Sequence, residues 1–115
     1  MSYLDINVVP VPTASKAAYL EHARALAAVF RDHGAIHVTD VWGDDVPDGK
    51  VTDFKRAVAL EDGETVAVGW IIWPDKATRD AAWEKVMQDP RLASQTMPVD
   101  GKRMIFGGFE MLLEG

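Results

Sequence analysis

Five aspartates fall within one short stretch of this chain: Asp40, Asp44, Asp45, Asp48 and Asp53. Carboxylates at that density suggest a divalent cation, because hard cations take oxygen ligands. The spacing argues against it. A calcium loop of the EF-hand kind needs oxygen donors at alternating positions and a glutamate at the twelfth. Counted from Asp44, the third position is Val46 and the twelfth is Lys55. The "PDGK" step at Pro47–Lys50 also fails as a phosphate cradle. Its Lys is followed by Val51 rather than Ser or Thr, and no earlier Gly has the Walker spacing. The flanking carboxylates would repel phosphate. What remains is a solvated turn without metal, in which Asp side chains bond their own backbone. Asp45, Pro47, Asp48, Gly49, Lys50 and Asp53 shape it, and Phe54 is expected to anchor its far end in the core.

Three histidines offer proton chemistry. His22 and His33 are eleven apart on a helical stretch, so they point within about 20° of each other but sit three turns apart. They cannot share one metal ion, and both fall at the edge of an apolar stripe. His37 lies on a strand with Thr39 and Val41, where it suits a structural hydrogen bond, a pocket wall or an interface. The chain also holds four Trp. Trp42, Trp70 and Trp73, with His37 and Arg103, are the candidate lining of a pocket or an interface. Such rings pack cores, or they wall a site for a planar ligand. No Gly-x-Ser-x-Gly is present. Arg103 is expected to pair with an Asp of the 45–54 loop, which would bring that loop against the start of the last strand.

Those residues need elements to hold them. "SYLDINVVPV" alternates as a strand, with Leu4, Ile6 and Val8 on one face and Tyr3, Asp5, Asn7, Val9 and Val11 on the other. A helix follows, capped by Thr13 or Ser15 and ended by Gly34. Tyr19, Ala23, Leu26, Ala27 and Phe30 form its apolar stripe. "AIHVTDVWGDD" is a second strand, and "KRAVALEDGET" reads as a short strand entering a turn. "TVAVGWIIW" is apolar on both faces, which marks a strand buried on both sides. The second helix starts at Asp75, turns Ala82, Trp83, Val86 and Met87 inward, and stops at Asp89-Pro90. "RLASQTMPVDGK" is a loop with at most one helical turn. "RMIFGGFEMLL" closes the order as the last strand, its Gly107-Gly108 pair marking a bulge or a close approach.

The order is β-α-β-β-α-β, a single ferredoxin-like α+β domain over residues 1–115. Two helices cover only one face of its four-stranded antiparallel sheet. Yet Trp70 and Ile72 oppose Ile71 and Trp73, so the uncovered face is also apolar. A second copy, sheet against sheet, is the expected cover, giving a homodimer with two-fold symmetry.

Composition narrows the function further. The net charge is −6, and the twelve Lys and Arg are scattered. Nucleic acid is therefore not an expected partner. The absence of Cys excludes disulfides, zinc thiolates, iron–sulfur clusters and a thiol nucleophile. No apolar run reaches membrane-spanning length and no secretory signal pattern opens the chain, so a cytoplasmic location with no membrane partner is expected.

"DVPDGKVTDF" (45–54) together with "DGKRMIFGGFE" (100–110) resembles the YbaA-like bacterial family of unknown function. "SYLDINVVPVP" and "WPDKATRDAAWEKVMQDPR" fit the same pattern. The resemblance implies a dimeric α/β barrel built from two ferredoxin-like protomers, and it makes the 45–54 loop a family signature. It brings no established activity. Two functions are left standing. One is a cofactor-free dimeric protein that is structural or binds a small apolar ligand. The other is a cofactor-independent oxygenase or isomerase for an aromatic or planar substrate, with His37 or an Asp as base. A third reading, haem ligation through one His, has no motif behind it.

Overall fold

The structure is a computed structural model that describes residues 2–114. Four strands, β1 (Tyr3–Pro12), β2 (His37–Trp42), β3 (Glu64–Trp73) and β4 (Ile105–Glu110), form one antiparallel sheet in the order β2-β3-β1-β4. The long helices α1 (Lys16–Asp32) and α3 (Lys76–Gln88) cover one face. Short helical turns α2 (Phe54–Ala57) and α4 (Pro90–Ala93) sit in the connections. This is the ferredoxin-like arrangement, with the two longest strands, β1 and β3, at the centre.

The register decides which residues can meet. Tyr3 lies opposite Trp73, Asp5 opposite Ile71, and Asn7 opposite Gly69. On the other side of β3, Asp40 lies opposite Gly69 and Trp42 opposite Ala67. Asn7, Gly69 and Asp40 therefore form one row across three strands, on the face that carries the helices. Val29, Phe30, Ile71, Trp73, Ala82 and Val86 make the main core between sheet and helices. A second cluster of Val9, Val11 and Ala67 extends it toward Tyr19 and Trp42.

The opposite face is only partly covered. Val58, 1% exposed, packs with Val8 and Val66 at one end of it. Burial of a valine side chain contributes about 1.5–3 kcal/mol, so this contact ties the β2–β3 connection to the sheet. The rest of the face keeps Leu4, Ile6, Trp70 and Ile72 half-buried, and leaves Ile105 and Phe109 exposed.

Local chemistry explains most element ends. Asp75 caps α3 by accepting from the Thr78 amide at 2.7 Å, and Asp89 caps α4 through the Arg91 amide. Gly34 stops α1 with φ +111°, a left-handed conformation that favours glycine.

Several expectations need correction. Neither Thr13 nor Ser15 caps α1 with its side chain; Thr13 bonds Thr65 instead, and residues 13–15 form a 3-10 turn. The 55–65 segment opens with α2 rather than a short strand, because Asp53 caps a helical turn there through the Arg56 amide at 2.7 Å. Phe54 is exposed, and Val58 does the anchoring. Met87 is 68% exposed on the outer side of α3. The last strand ends at Glu110, leaving Leu112 and Leu113 exposed beyond it. Its glycine pair makes a close approach, not a bulge: a Cβ on Gly108 would lie 2.5 Å from Tyr3 Oη.

Candidate functional site

Asp5 and His22 are the buried polar residues of the described chain, and they are treated in opposite ways. Asp5 is fully satisfied. It accepts from Trp73 Nε1 and Trp83 Nε1, each at 2.9 Å, and from Arg79 Nη2 at 2.6 Å and Nε at 3.0 Å. Burial alone would raise its pKa; the bonds from Arg79, Trp83 and Trp73 outweigh that and hold it below the ordinary carboxylate value. Tyr3 stacks on the Arg79 guanidinium with 5.2 Å to its ring centroid. The cluster locks β1, β3 and α3 together and leaves no capacity free for a ligand.

His22 is the reverse case. It projects from α1 toward the sheet and is 9% exposed, yet neither ring nitrogen has a hydrogen-bond partner among the described residues. Buried polar atoms are nearly always paired, so an orphaned imidazole calls for an explanation. The ring borders a cavity of about 70 Å³ that also touches Asn7, Tyr19, Asp40, Gly69 and Met104.

The sheet row described above builds the floor of this cavity. Gly69 has no side chain, and the space it frees is filled from both sides. A Cβ there would lie 2.6 Å from Asp40 Oδ1 and 3.3 Å from both Asn7 Oδ1 and Nδ2. Glycine thus lets a carboxyl and an amide converge beneath His22. Asp40 is exposed as a residue, but its carboxyl lies against Gly69; the partial loss of solvent there raises its pKa, and the nearby His22 opposes that rise. Burial, reinforced by the Asp40 charge, pushes the Tyr19 phenol up to about 12. A carboxyl, an imidazole without a hydrogen-bond partner and an amide donor around one cavity are the groups of a general acid–base set.

The cavity adjoins a surface groove. Tyr19, Ala23 and Asp40 line both the cavity and this wider groove of about 540 Å³. Trp42, Leu20, Val41 and Lys16 wall that groove. The Tyr19 and Trp42 rings lie 6.2 Å apart, and the Lys16 ammonium sits 5.5 Å from the Trp42 centroid.

The residues singled out from sequence are not gathered in one place. Trp42 walls the groove. His37 is exposed on the far face of β2, and Trp70 is half-buried on that same far face. Trp73 is 0% exposed in the core. Arg103 pairs with Glu64 through two 2.7 Å bonds and with Asp100, and donates to the Ala59 carbonyl; none of these partners is an Asp of the 45–54 loop. That loop is organised on itself. Asp53 accepts from the Gly49 amide, Lys55 pairs with Asp48, and Arg56 donates to the carbonyls of Gly49 and Lys50. A Cβ at Gly49 would lie 2.0 Å from the Thr52 carbonyl oxygen, so this turn requires glycine. Asp44 and Asp45 are exposed. Among the described residues no group of three or more His, Asp or Glu is placed to hold a metal ion.

Sequence reasoning placed His22 only at the edge of the helix stripe and passed over Asn7 and Gly69. The signal was present, since Asp5 and Asn7 alternate onto the same face as Tyr3 and Val9. Polar residues on a helix-covered face need partners there.

The fold and this cavity define a ferredoxin-like α+β domain with an acid–base pocket between its sheet and first helix. The chain belongs to the family described as "Protein of unknown function (DUF1428)", which matches residues 2–101. It is 49% identical over 116 residues to the uncharacterised protein YbaA of Escherichia coli strain K12, covering 99% of each chain, and equally similar to YbaA of Shigella flexneri. Solved structures share the fold at low identity. SnoaB, a cofactor-independent oxygenase from Streptomyces nogalater, superimposes with a TM-score of 0.56 at 18% identity, covering 98% of this chain and 95% of that one. Rv0793 from Mycobacterium tuberculosis gives 0.56 at 12% identity, covering 99% and 98%. A nipsnap family protein of unknown function from Agrobacterium tumefaciens gives 0.57 at 10%, covering 94% and 86%.

Proposed function

We propose that this chain is a cytoplasmic homodimer that binds a small planar molecule and moves a proton on it without a cofactor. The observation that carries the reading is His22: a buried imidazole with no hydrogen-bond partner on either nitrogen among the described residues, bordering with Asp40 and Asn7 a cavity beside a surface groove. In a bound complex, a ring nitrogen of His22 takes the proton from a hydroxyl or an activated C–H. The Asp40 carboxylate stabilises the imidazolium that forms, and the Asn7 amide donates to the oxyanion left on the ligand. That step begins an isomerisation, and it equally begins an oxygenation in which the electron-rich anion meets dioxygen. The fold shared with an oxygenase described as cofactor-independent agrees with this chemistry and is a fold-level analogy.

The base in this reading is His22 rather than His37. His37 and Trp70 belong instead to the proposed dimer face, with Leu4, Ile6, Ile72 and Phe109. The 45–54 loop is proposed to be structural, holding α2 and Val58 on the end of that face. A monomer by light scattering at micromolar concentration would overturn the dimer.

The site is tested by thermal shift with 2-naphthol, a planar hydroxylated probe. The wild-type melting temperature is expected to rise with probe concentration, because a ligand that binds the native state stabilises it. His22→Phe and His22→Gln are expected to lose the shift. Equal shifts in all three proteins contradict the reading.

A further inference from the structure

The groove and cavity differ in size by enough to say how a ligand is divided between them. A cavity of about 70 Å³ admits a group of one or two heavy atoms, since a water takes about 30 Å³ in the liquid. The adjoining groove of about 540 Å³ falls in the range that holds the body of a small organic ligand. A ligand that used both spaces would place a small polar end by His22, beyond Tyr19, Ala23 and Asp40, with its bulk on Trp42, Leu20 and Val41.

Charge is distributed over the same two spaces. Asp40 lines both the cavity and the groove, and Lys16 lines the groove alone. Lys16 joins none of the ion pairs among the described residues, and its ammonium already lies over the Trp42 ring at 5.5 Å from the centroid. A cationic ligand would have to displace that ammonium from the aromatic face. An anionic one would be paired by it in place. Other cations among the described residues are also free of ion pairs, but Lys16 is the one on the wall of this apolar groove, over the Trp42 ring.

We infer that the ligand is an aromatic or planar hydroxy acid: its hydroxyl reaches His22, its rings lie on Trp42, and its carboxylate at the far end pairs with Lys16. The inference rests on the His22 site proposed above and adds the acid group and its orientation. It makes Lys16 a specificity residue, acting on which molecules bind and not on the proton transfer.

Two probes separate the inference from the site it depends on. 2-Naphthol has the rings and the hydroxyl; 6-hydroxy-2-naphthoate adds a carboxylate at the opposite end. Their dissociation constants are measured by quenching of tryptophan fluorescence for the wild type, Lys16→Met and Lys16→Arg. The wild type is expected to prefer the acid by at least roughly tenfold, or about 1.4 kcal/mol. Lys16→Met is expected to bring the ratio of the two constants near one, and Lys16→Arg to keep most of it. Added salt should shrink the wild-type ratio, because the pair is open to solvent. A wild type that binds both probes equally, or a ratio unchanged in Lys16→Met, overturns the hydroxy-acid inference and leaves the His22 site standing. Binding of neither probe to the wild type contradicts both.

Discussion

Asp5→Asn is the substitution whose cost the structure specifies best. The asparagine has nearly the same shape, so no cavity opens. What changes is charge and hydrogen-bonding character. Asp5 accepts from two indoles and from the Arg79 guanidinium and donates to nothing. An Asn at this place must turn its NH₂ toward one of those donors, leaving an indole or the guanidinium unpaired. Removing one member of a buried ion pair costs about 3–5 kcal/mol. The Asp5 side chain is 12% exposed and that of Arg79 is 23% exposed, so water can partly rehydrate the guanidinium. The expected loss is therefore at the lower end, about 3 kcal/mol. For a domain of this length each kcal/mol moves the midpoint by about 4 °C, so melting should fall by roughly 12 °C. Urea denaturation followed by tryptophan fluorescence measures the free energy directly, since Trp73 and Trp83 are themselves the indole donors. A double-mutant cycle with Arg79→Met should show strong coupling, the second substitution costing little once the first is made. A loss under about 1 kcal/mol, or additive losses, would refute the view that Asp5 is a satisfied and costly-to-break lock.

Other substitutions and conditions give sharper contrasts. Gly69→Ala places a methyl 2.6 Å from Asp40 Oδ1, so it should displace that carboxyl, lower stability by about 1–3 kcal/mol and abolish the 2-naphthol shift; retained binding would show that the row is not the cavity floor. Asp40→Asn should raise the melting temperature slightly at pH 7, the effect kept small by the exposure of Asp40. The folded pKa of Asp40 lies above its unfolded value, so ionising it works against folding as pH rises through the folded pKa; a lower melting temperature would contradict this. Acid has the opposite sign at Asp5 and Glu64, whose folded pKa values lie below the unfolded ones. Their stabilisation is complete above about pH 5 and is lost as pH falls through the unfolded and then the folded values. The stability gap between wild type and Asp5→Asn should therefore narrow below that pH in urea titrations, and a constant gap would count against the sign.

The strands and long helices were legible in the sequence because their periods were clean. Alternation set the faces of β1 and β3 correctly, down to Trp70 opposing Trp73, and Asp75, Asp89 and Gly34 announced their helix ends. The segment after the 45–54 loop misled for a physical reason. Val58 and Leu60 alternate with Ala57 and Ala59 as a strand would, while Asp53 caps a helical turn just before them. Phe54 looked like the anchor because it is large, yet the smaller Val58 reaches the sheet. The site stayed hidden because it is assembled by register. Asn7, Gly69 and Asp40 are neighbours only once β1, β3 and β2 pair in sequence-distant order. Nothing local distinguishes the His22 side of the helix from that of His33, which ends up bonded to Asp89 at 3.0 Å.

The central claim is that His22, and not His37, meets the ligand. The chain has three histidines, so a protein labelled with ¹³C in its imidazole rings gives three ring signals, assignable by single substitutions. On titration with 2-naphthol the His22 signal is expected to move with saturating dependence on probe, while those of His33 and His37 stay in place. Movement at His37 with a silent His22 would put the ligand on the open sheet face and contradict the site.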